Sequence, residues 1–246
     1  MYSLIFIYGI TLGSFYNVVG LRVPLNQSIV KPRSHCPTCN HTLTSIDLVP
    51  VFSYVFLRGK CRRCKAPISP FYPIVELVTG LLFVLAPIVI GWSYELIVAW
   101  TIISLMVIIF VSDIHYMIIP DKVLLFFGPV ILLERIFIPL NPWWDTLAGA
   151  ALGFGLLLVI ALVSKGGMGG GDIKLYAVIG LVLGMKLVLI SFFLATLFGA
   201  CFGIIGMLMG KVKKGKPMPF GPYIGLGTII AYFFGEPLLR WYIHFM

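Results

Sequence analysis

The chain alternates between long uncharged apolar stretches and short charged ones. Residues 1–21 carry no charge, and 77–94 and 96–112 repeat that pattern. A weaker stretch runs from Val123 to about Leu140, broken by Glu134 and Arg135. Residues 146–164, 175–185, 187–210 and 217–235 complete the series. A helical span needs roughly 20 apolar residues, within a range of about 17–25. The 175–185 run is short, so its helix must borrow Asp172–Lys174 or share residues around Lys186. The pattern predicts an all-α polytopic membrane protein with about eight transmembrane helices. A transmembrane barrel would show segments of about ten alternating residues, and these are absent. The chain divides into a first transmembrane helix at 1–21, a polar loop domain at 22–72 and a helix bundle at 73–246. No basic segment precedes Arg22, so the first helix reads as a retained span and not a cleaved signal.

Composition excludes a disordered chain and argues against a soluble enzyme. Of the 246 residues, 60% are apolar and 11% charged, with a mean hydropathy of +1.04. A soluble domain has about 25% charged and 45–50% apolar residues. Eight spans put both termini on one side. The loops on the other side hold all of the 18 basic residues except Arg135, Lys186 and Arg240. Lysine and arginine accumulate in cytoplasmic loops, so both termini are expected outside and the loops inside. The net charge of +9 calls for no nucleic-acid partner, because these residues lie where anionic lipid headgroups of the bilayer are.

The polar loop contains Cys36-Pro-Thr-Cys39 and Cys61-Arg-Arg-Cys64, two CxxC knuckles separated by 21 residues. Each knuckle presents two sulfurs on a tight turn, and four thiolates close a tetrahedral structural zinc site. A reducing cytoplasm disfavours two disulfides. Residues 22–72 are therefore expected to form a small zinc-ribbon-like domain. His35 and His41 flank the first knuckle and read as solvated neighbours. Cys201, beside Gly199 and Gly203, reads as a small packing residue.

Nine acidic residues occur, and most have a simple reading. Asp47 sits in the polar loop, and Asp145 follows an interfacial Pro142-Trp143-Trp144 turn. Glu76, Glu95 and Glu236 sit at span ends, and Glu134 can pair with Arg135. Three remain. Asp113 follows the apolar run 96–112 and precedes another apolar segment. An ionisable side chain at the hydrocarbon boundary is costly and marks a functional site. Asp121 follows Pro120 and starts the next helix, where it suits capping and the helix dipole. Asp172 closes the glycine run 166–171 and opens a helix. A cap needs no such run, whereas glycines let another chain approach closely. Without a GK[ST] sequence the run is no phosphate loop, and it suits an extended peptide better.

Carboxylates from the third and sixth predicted helices can meet at one depth. Like charges close together share one proton. The ionised member can then activate water while the protonated one polarises a carbonyl. A metal site of Asp113, Asp172 and His115 is a competing reading. So is a transporter with a proton-relay pair, or a scaffold whose zinc ribbon binds a partner.

These residues resemble the type IV prepilin peptidase family of GxGD membrane aspartic proteases. Gly13-Ser14-Phe15-Tyr16-Asn17 followed by Arg22-Val23-Pro24 resembles its N-terminal signature. Ser34–Cys39, Asp47–Pro50, Arg58–Cys64 and Ile68-Ser69 resemble its cytoplasmic domain, and Tyr72–Glu76 the start of its second helix. Asp113 with Ile119-Pro120-Asp121 resembles the first catalytic block. Gly169-Gly170-Gly171-Asp172-Ile173-Lys174 resembles the second, and Pro219-Phe220-Gly221-Pro222 a late block. The resemblance implies that Asp113 and Asp172 are the catalytic pair and that Asp121 is secondary. It implies a prepilin or pseudopilin substrate with a short basic leader, a glycine before the cut and an apolar helix after it. Such substrates serve pili, protein secretion or DNA uptake (competence). Many members also N-methylate the new N-terminus with S-adenosylmethionine, and Gly59 and Lys60 match positions tied to that second activity. The inner membrane of a bacterial cell is the implied location.

Gly149/Gly153, Gly180/Gly184, Gly199/Gly203 and Gly206/Gly210 are small-xxx-small pairs, which favour close helix packing.

Overall fold

The computed structural model describes residues 1–164, 168–210 and 218–245. Lys165, Lys211, Lys213, Lys214 and Lys216 of the orientation argument lie outside the described residues, as do Gly166 and Gly167 of the glycine run. The described residues are all-helical, apart from two isolated β-bridges. The eight helices are α1 (Tyr2–Arg22), α2 (Phe52–Phe56), α3 (Phe71–Ile90), α4 (Glu95–Tyr116), α5 (Asp121–Phe137), α6 (Asp145–Val163), α7 (Gly170–Leu208) and α8 (Gly221–Phe245). Five of them are long and apolar enough to cross a membrane: α1, α3, α4, α6 and α7. α2 is a single short helix inside the polar loop.

α7 runs for 39 residues but is broken at Gly184 (φ 70°, ψ −178°). The two apolar runs 175–185 and 187–210 thus meet at a real break. The first half borrows Asp172–Lys174, as its short apolar run requires.

The chain forms two compact units, Met1–Gly91 and Trp92–Met246. In the first, α1 packs on α3. A Cβ on Gly13 would lie 2.9 Å from Glu76 Cα, and one on Gly9 2.8 Å from Gly80 Cα, so only glycine permits this spacing. The polar loop and α2 belong to this unit, and so does α3.

In the second unit α4 is the central helix. Ile102, Ile103, Leu105, Ile109 and Val111 are fully buried, and α4 packs on α5, α7 and α8. α6 packs on α7 through Gly149 and Gly153, whose missing side chains admit the backbone of Gly180, Gly184 and Tyr176. Two of the four glycine pairs therefore pack against each other. Gly210 plays a different part, taking a left-handed conformation (φ 67°) just after α7. Leu158, Val159, Leu162 and Val163 of α6 are exposed. Apolar surface of this extent suits hydrocarbon.

The break at Gly184 is held from both sides. It releases the Val182 carbonyl, which accepts from Arg135 Nη2 at 2.7 Å. It also releases the Met185 N–H, which donates to Asp145 Oδ1 at 3.1 Å. A cation thus meets the C-terminal end of one half-helix and an anion the N-terminal end of the next, as the helix dipoles favour. Asp145 is therefore a cap as well as an interfacial residue. Arg135 does not pair with Glu134. It makes a two-pronged ion pair with Glu95 at 2.8 and 2.9 Å, and Glu134 accepts from Thr101 Oγ1 at 2.6 Å. Adjacent residues on a helix point about 100° apart, so Glu134 and Arg135 address different neighbours.

Cys201 is exposed on α7, so it does not pack between helices. Its glycine neighbours are on the helix, but Cys201 lies on its outward side.

Candidate active site and metal centre

Asp113 lies in the last turn of α4, buried at 6% exposure. α4 stops because Met117 turns left-handed (φ 54°, ψ 39°) and donates its N–H to the Asp113 carbonyl at 2.8 Å. Ser112 Oγ donates to the Ile118 carbonyl and fixes the exit of the chain. Ile118–Pro120 then runs to α5. This segment lies against the start of α7, where a Cβ on Gly171 would lie 2.9 Å from Ile119 Cβ.

Asp172 enters in the first turn of α7 and is half-buried. Its Oδ2 would lie 3.0 Å from a Cβ on Gly169. Asp172 lies within electrostatic reach of Asp113. A third helix completes the arrangement. Gly221, the first residue of α8, donates its N–H to Asp113 Oδ2 at 2.7 Å. A Cβ there would lie 2.9 Å from both Asp113 Cβ and Oδ2. Glycine is the residue that lets this donor reach the carboxylate.

Asp121 is placed differently. It is the first residue of α5, one place past the N-cap Pro120; it is exposed and pairs with Lys174 Nζ at 2.8 and 2.9 Å. Asp121 is therefore not the N-cap residue, although its charge still sits favourably in the first turn of α5. His115 is exposed and its Nδ1 contacts the Val111 carbonyl at 2.9 Å. Among the described residues Asp113, Asp172 and His115 form no group able to hold a metal ion; the four cysteines do. Sequence reasoning gave no role to Gly221 or Lys174. The Pro219-Phe220-Gly221-Pro222 block was the signal for the first, and the position of Lys174 two residues after Asp172 the signal for the second.

In the first unit the two knuckles repeat one another. Cys36 N–H donates to the His41 carbonyl at 2.9 Å, and Cys61 N–H to the Ala66 carbonyl at 2.8 Å. Asn40 and Lys65, each four residues past the first cysteine of its knuckle, are left-handed. The bridges His35↔Thr42 and Lys60↔Pro67 close the two turns. The four Sγ atoms lie within 4.8 Å of one another, and Cys36 and Cys64 are 3.7 Å apart. Zn–S bonds of about 2.3 Å in a tetrahedron separate sulfurs by about 3.8 Å. All four thiols are free of disulfides. Backbone N–H groups of Cys39 and Thr38 bring Cys36 down to about 6. Although the Ala66 N–H favours the Cys64 thiolate, burial and the neighbouring thiols Cys39, Cys61 and Cys36 push it up to about 11. Four thiolates this close ionise together only around a cation. The donor set therefore fits a zinc ion. His35 and His41 are not part of the cluster. Asp47 ties the knuckles, accepting from Thr44 Oγ1 at 2.7 Å and pairing with Arg62 Nε at 2.7 Å. Thr44 and Arg62 hold its carboxyl down at about 2.

Gly59 is left-handed (φ 67°), and a Cβ on it would lie 2.9 Å from Tyr54 Oη. Lys60 is exposed. Within this unit a cavity of about 540 Å³ lies between α1, the loop and α3; Tyr54 is in its wall, Gly59 and Lys60 are not.

Residues 7–90 match the bacterial peptidase A24 N-terminal domain, and residues 100–204 match the type IV leader peptidase family. The two matches fall on either side of the division at Gly91. A prepilin leader peptidase/N-methyltransferase of Bacillus subtilis (strain 168) is 48% identical over 99% of this chain and 98% of its own length. One from Aeromonas salmonicida (strain A449) is 34% identical over 98% and 94%. One from Pseudomonas aeruginosa is 31% identical over 96% and 91%. No solved structure matches.

Proposed function

The chain belongs to the type IV leader peptidase family, and from that premise we propose that it acts as a prepilin leader peptidase/N-methyltransferase with Asp113 and Asp172 as its catalytic pair. It is a multi-pass membrane protein. Whole-length similarity to enzymes of one name displaces the transporter and scaffold readings. Counting α7 as two helices and adding α5 and α8 to the other candidate spans gives eight crossings. The basic loops then face the cytoplasm, and both termini lie outside.

The observation that carries the catalytic assignment is the convergence of three helix ends: Asp113 is buried at the end of α4 and held by the Gly221 N–H of α8 at 2.7 Å, and Asp172 lies in the first turn of α7, whose Gly171 packs on Ile119 just past Asp113. Two such carboxyls share one proton. The ionised one takes a proton from water, which adds to the carbonyl carbon of the leader glycine. The protonated one donates to the carbonyl oxygen; the first, now carrying the proton taken from water, donates it to the departing amine, and the second recovers its proton as the carbonyl re-forms. The C–N bond breaks, leaving a glycine carboxylate on the leader and a new amine on the pilin. Gly221 holds Asp113 in place. A prepilin or pseudopilin suits this location, since its apolar helix stays in the bilayer while its short basic leader reaches the loop side.

Cys36, Cys39, Cys61 and Cys64 would hold one structural zinc ion. S-adenosylmethionine, when bound, supplies the methyl group. Methylation needs the neutral new amine, so it follows cleavage. The test is co-expression with a leader-bearing prepilin, followed by gel shift and mass spectrometry of the mature N-terminus. Cleaved product one methyl group heavier supports both halves. Uncleaved prepilin beside properly inserted enzyme overturns the reading. Metal analysis should find about one zinc per chain, as one closed site requires.

A further inference from the structure

The cavity of the first unit is bounded by α1, the loop and α3. At about 540 Å³ it lies within the range of roughly 300–1,000 Å³ usual for small-molecule sites. Its wall mixes aliphatic residues with polar and charged ones, among them Arg22, Arg62 and Asp47. Asn17 of α1 is 4% exposed. Its Nδ2 donates to the Tyr72 carbonyl at 3.3 Å, but its buried Oδ1 has no partner. A buried acceptor left unpaired is costly and calls for a donor from whatever fills the space. Glu76 of α3 is 8% exposed. Its carboxyl accepts from the Val51 N–H at 2.8 Å and from the Ser14 hydroxyl, and no ion pair among the described residues reaches it. Tyr54 and Tyr72 add aromatic rings, and Cys36 and Cys61 put the metal cluster in the same wall.

We propose that this cavity is the methyl-donor site and takes S-adenosylmethionine, with Asn17, Glu76 and Tyr54 as its contacts. The inference rests on the methyl-transfer half of the function proposed above. The ligand is chemically matched to the wall. Its sulfonium is a cation without N–H groups, suited to the Glu76 carboxyl, which has hydrogen bonds but no countercharge among the described ion pairs. Its amino group, ribose hydroxyls and adenine amine are donors, suited to Asn17 Oδ1. Its adenine is a flat ring, suited to Tyr54.

The same geometry gives Gly59 a part without contact. Gly59 lies outside the wall, yet a Cβ on it would press Tyr54 at Oη (2.9 Å) and Cζ (3.0 Å). Gly59 is therefore a positioning residue acting through Tyr54. The cysteines act similarly, since folding of the knuckles around a metal shapes one wall.

The experiment is calorimetric titration of the purified, zinc-loaded full chain with S-adenosylmethionine and with S-adenosylhomocysteine, which lacks the positive charge. The wild type should bind the donor. Asn17→Ala and Tyr54→Ala should each weaken binding at least tenfold. Glu76→Gln should weaken the sulfonium ligand more than the uncharged one. Gly59→Ala should lose a similar factor, and the double variant with Tyr54→Ala should lose no more than Tyr54→Ala alone, because both act on one contact. Val30→Ser, exposed outside the cavity, should bind as the wild type, and zinc content verifies folding throughout. A photoactivatable analogue of the donor should label peptides carrying Tyr54 or Asn17 in the wild type, a measurement that needs no variant to fold. Binding equal in all variants, or labelling elsewhere, overturns the cavity assignment and leaves methyl transfer standing. A wild type that neither binds the donor nor methylates cleaved pilin overturns both.

Discussion

The two ends of the second unit hold buried charge in opposite ways. At one end Glu95, Arg135, Asp145 and Tyr232 surround the break in α7. Arg135 is 4% exposed and meets Glu95 twice and the Val182 carbonyl once. Tyr232 Oη donates to Glu95 Oε1 at 2.8 Å. Glu95, Arg135 and Asp145 each face a countercharge or a helix end of opposite sign, while Glu134 beside them is held by the Thr101 hydroxyl. At the other end, roughly 27 Å away along α4 at about 1.5 Å per residue, Asp113 faces Asp172. There the partners are a like charge and backbone N–H groups, from Gly221 to Asp113 and from Gly169 to Asp172. A buried charge with matched partners is silent chemically and holds helices together. A buried pair of like charges stores a reactive proton. The contrast teaches that burial of an acid marks function only when its partners fail to neutralise it.

The largest expected effect breaks the reactive end. Asp113→Asn or Asp172→Asn should each lower cleavage by at least about 10³-fold, because the pair acts as a unit. The variants should insert normally, read by membrane fractionation and by prepilin conversion in time courses. Gly221→Ala should come next, lowering kcat about 10²-fold through displacement of Asp113 while the amount of folded protein stays near wild type. At the neutralised end the readout changes from rate to stability. Arg135→Met should cost about 3 kcal/mol, the low end for a broken buried pair, since the Glu95 side chain is 30% exposed. It should lower the unfolding midpoint in detergent, and adding Glu95→Gln should recover part of the loss. If Arg135→Met instead abolished cleavage without loss of stability, the contrast between the two ends would be wrong. The smallest effect belongs to Asp121→Asn. Its exposed ion pair with Lys174 is worth about 0–1 kcal/mol, so cleavage should stay within a few-fold of wild type.

What was legible in the sequence was legible because it is local. Hydrocarbon thickness fixes the length of each apolar run, so the spans stand out without any contact being known. The two-residue gaps in Cys36–Cys39 and Cys61–Cys64 dictate two turns that each present a sulfur pair. Asp113 and Asp172 stand out because each interrupts apolar sequence at a helix end, where an unpaired carboxyl is costly. What only the tertiary structure decided depends on the rotation and depth of one helix against another. Glu134 and Arg135 are neighbours in sequence, yet they serve Thr101 and Glu95. Asp121 reads as a cap, yet it falls one place past the N-cap and pairs with Lys174, 53 positions away. Cys201 sits among glycines but faces outward. Gly221 has no side chain to announce it, and its part follows only from α8 starting at Asp113. Gly184 breaks α7 where Arg135 and Asp145 stand ready to receive the freed carbonyl and N–H. Spacing along the chain fixes which face of a helix a residue occupies, and packing of the bundle fixes what that face meets.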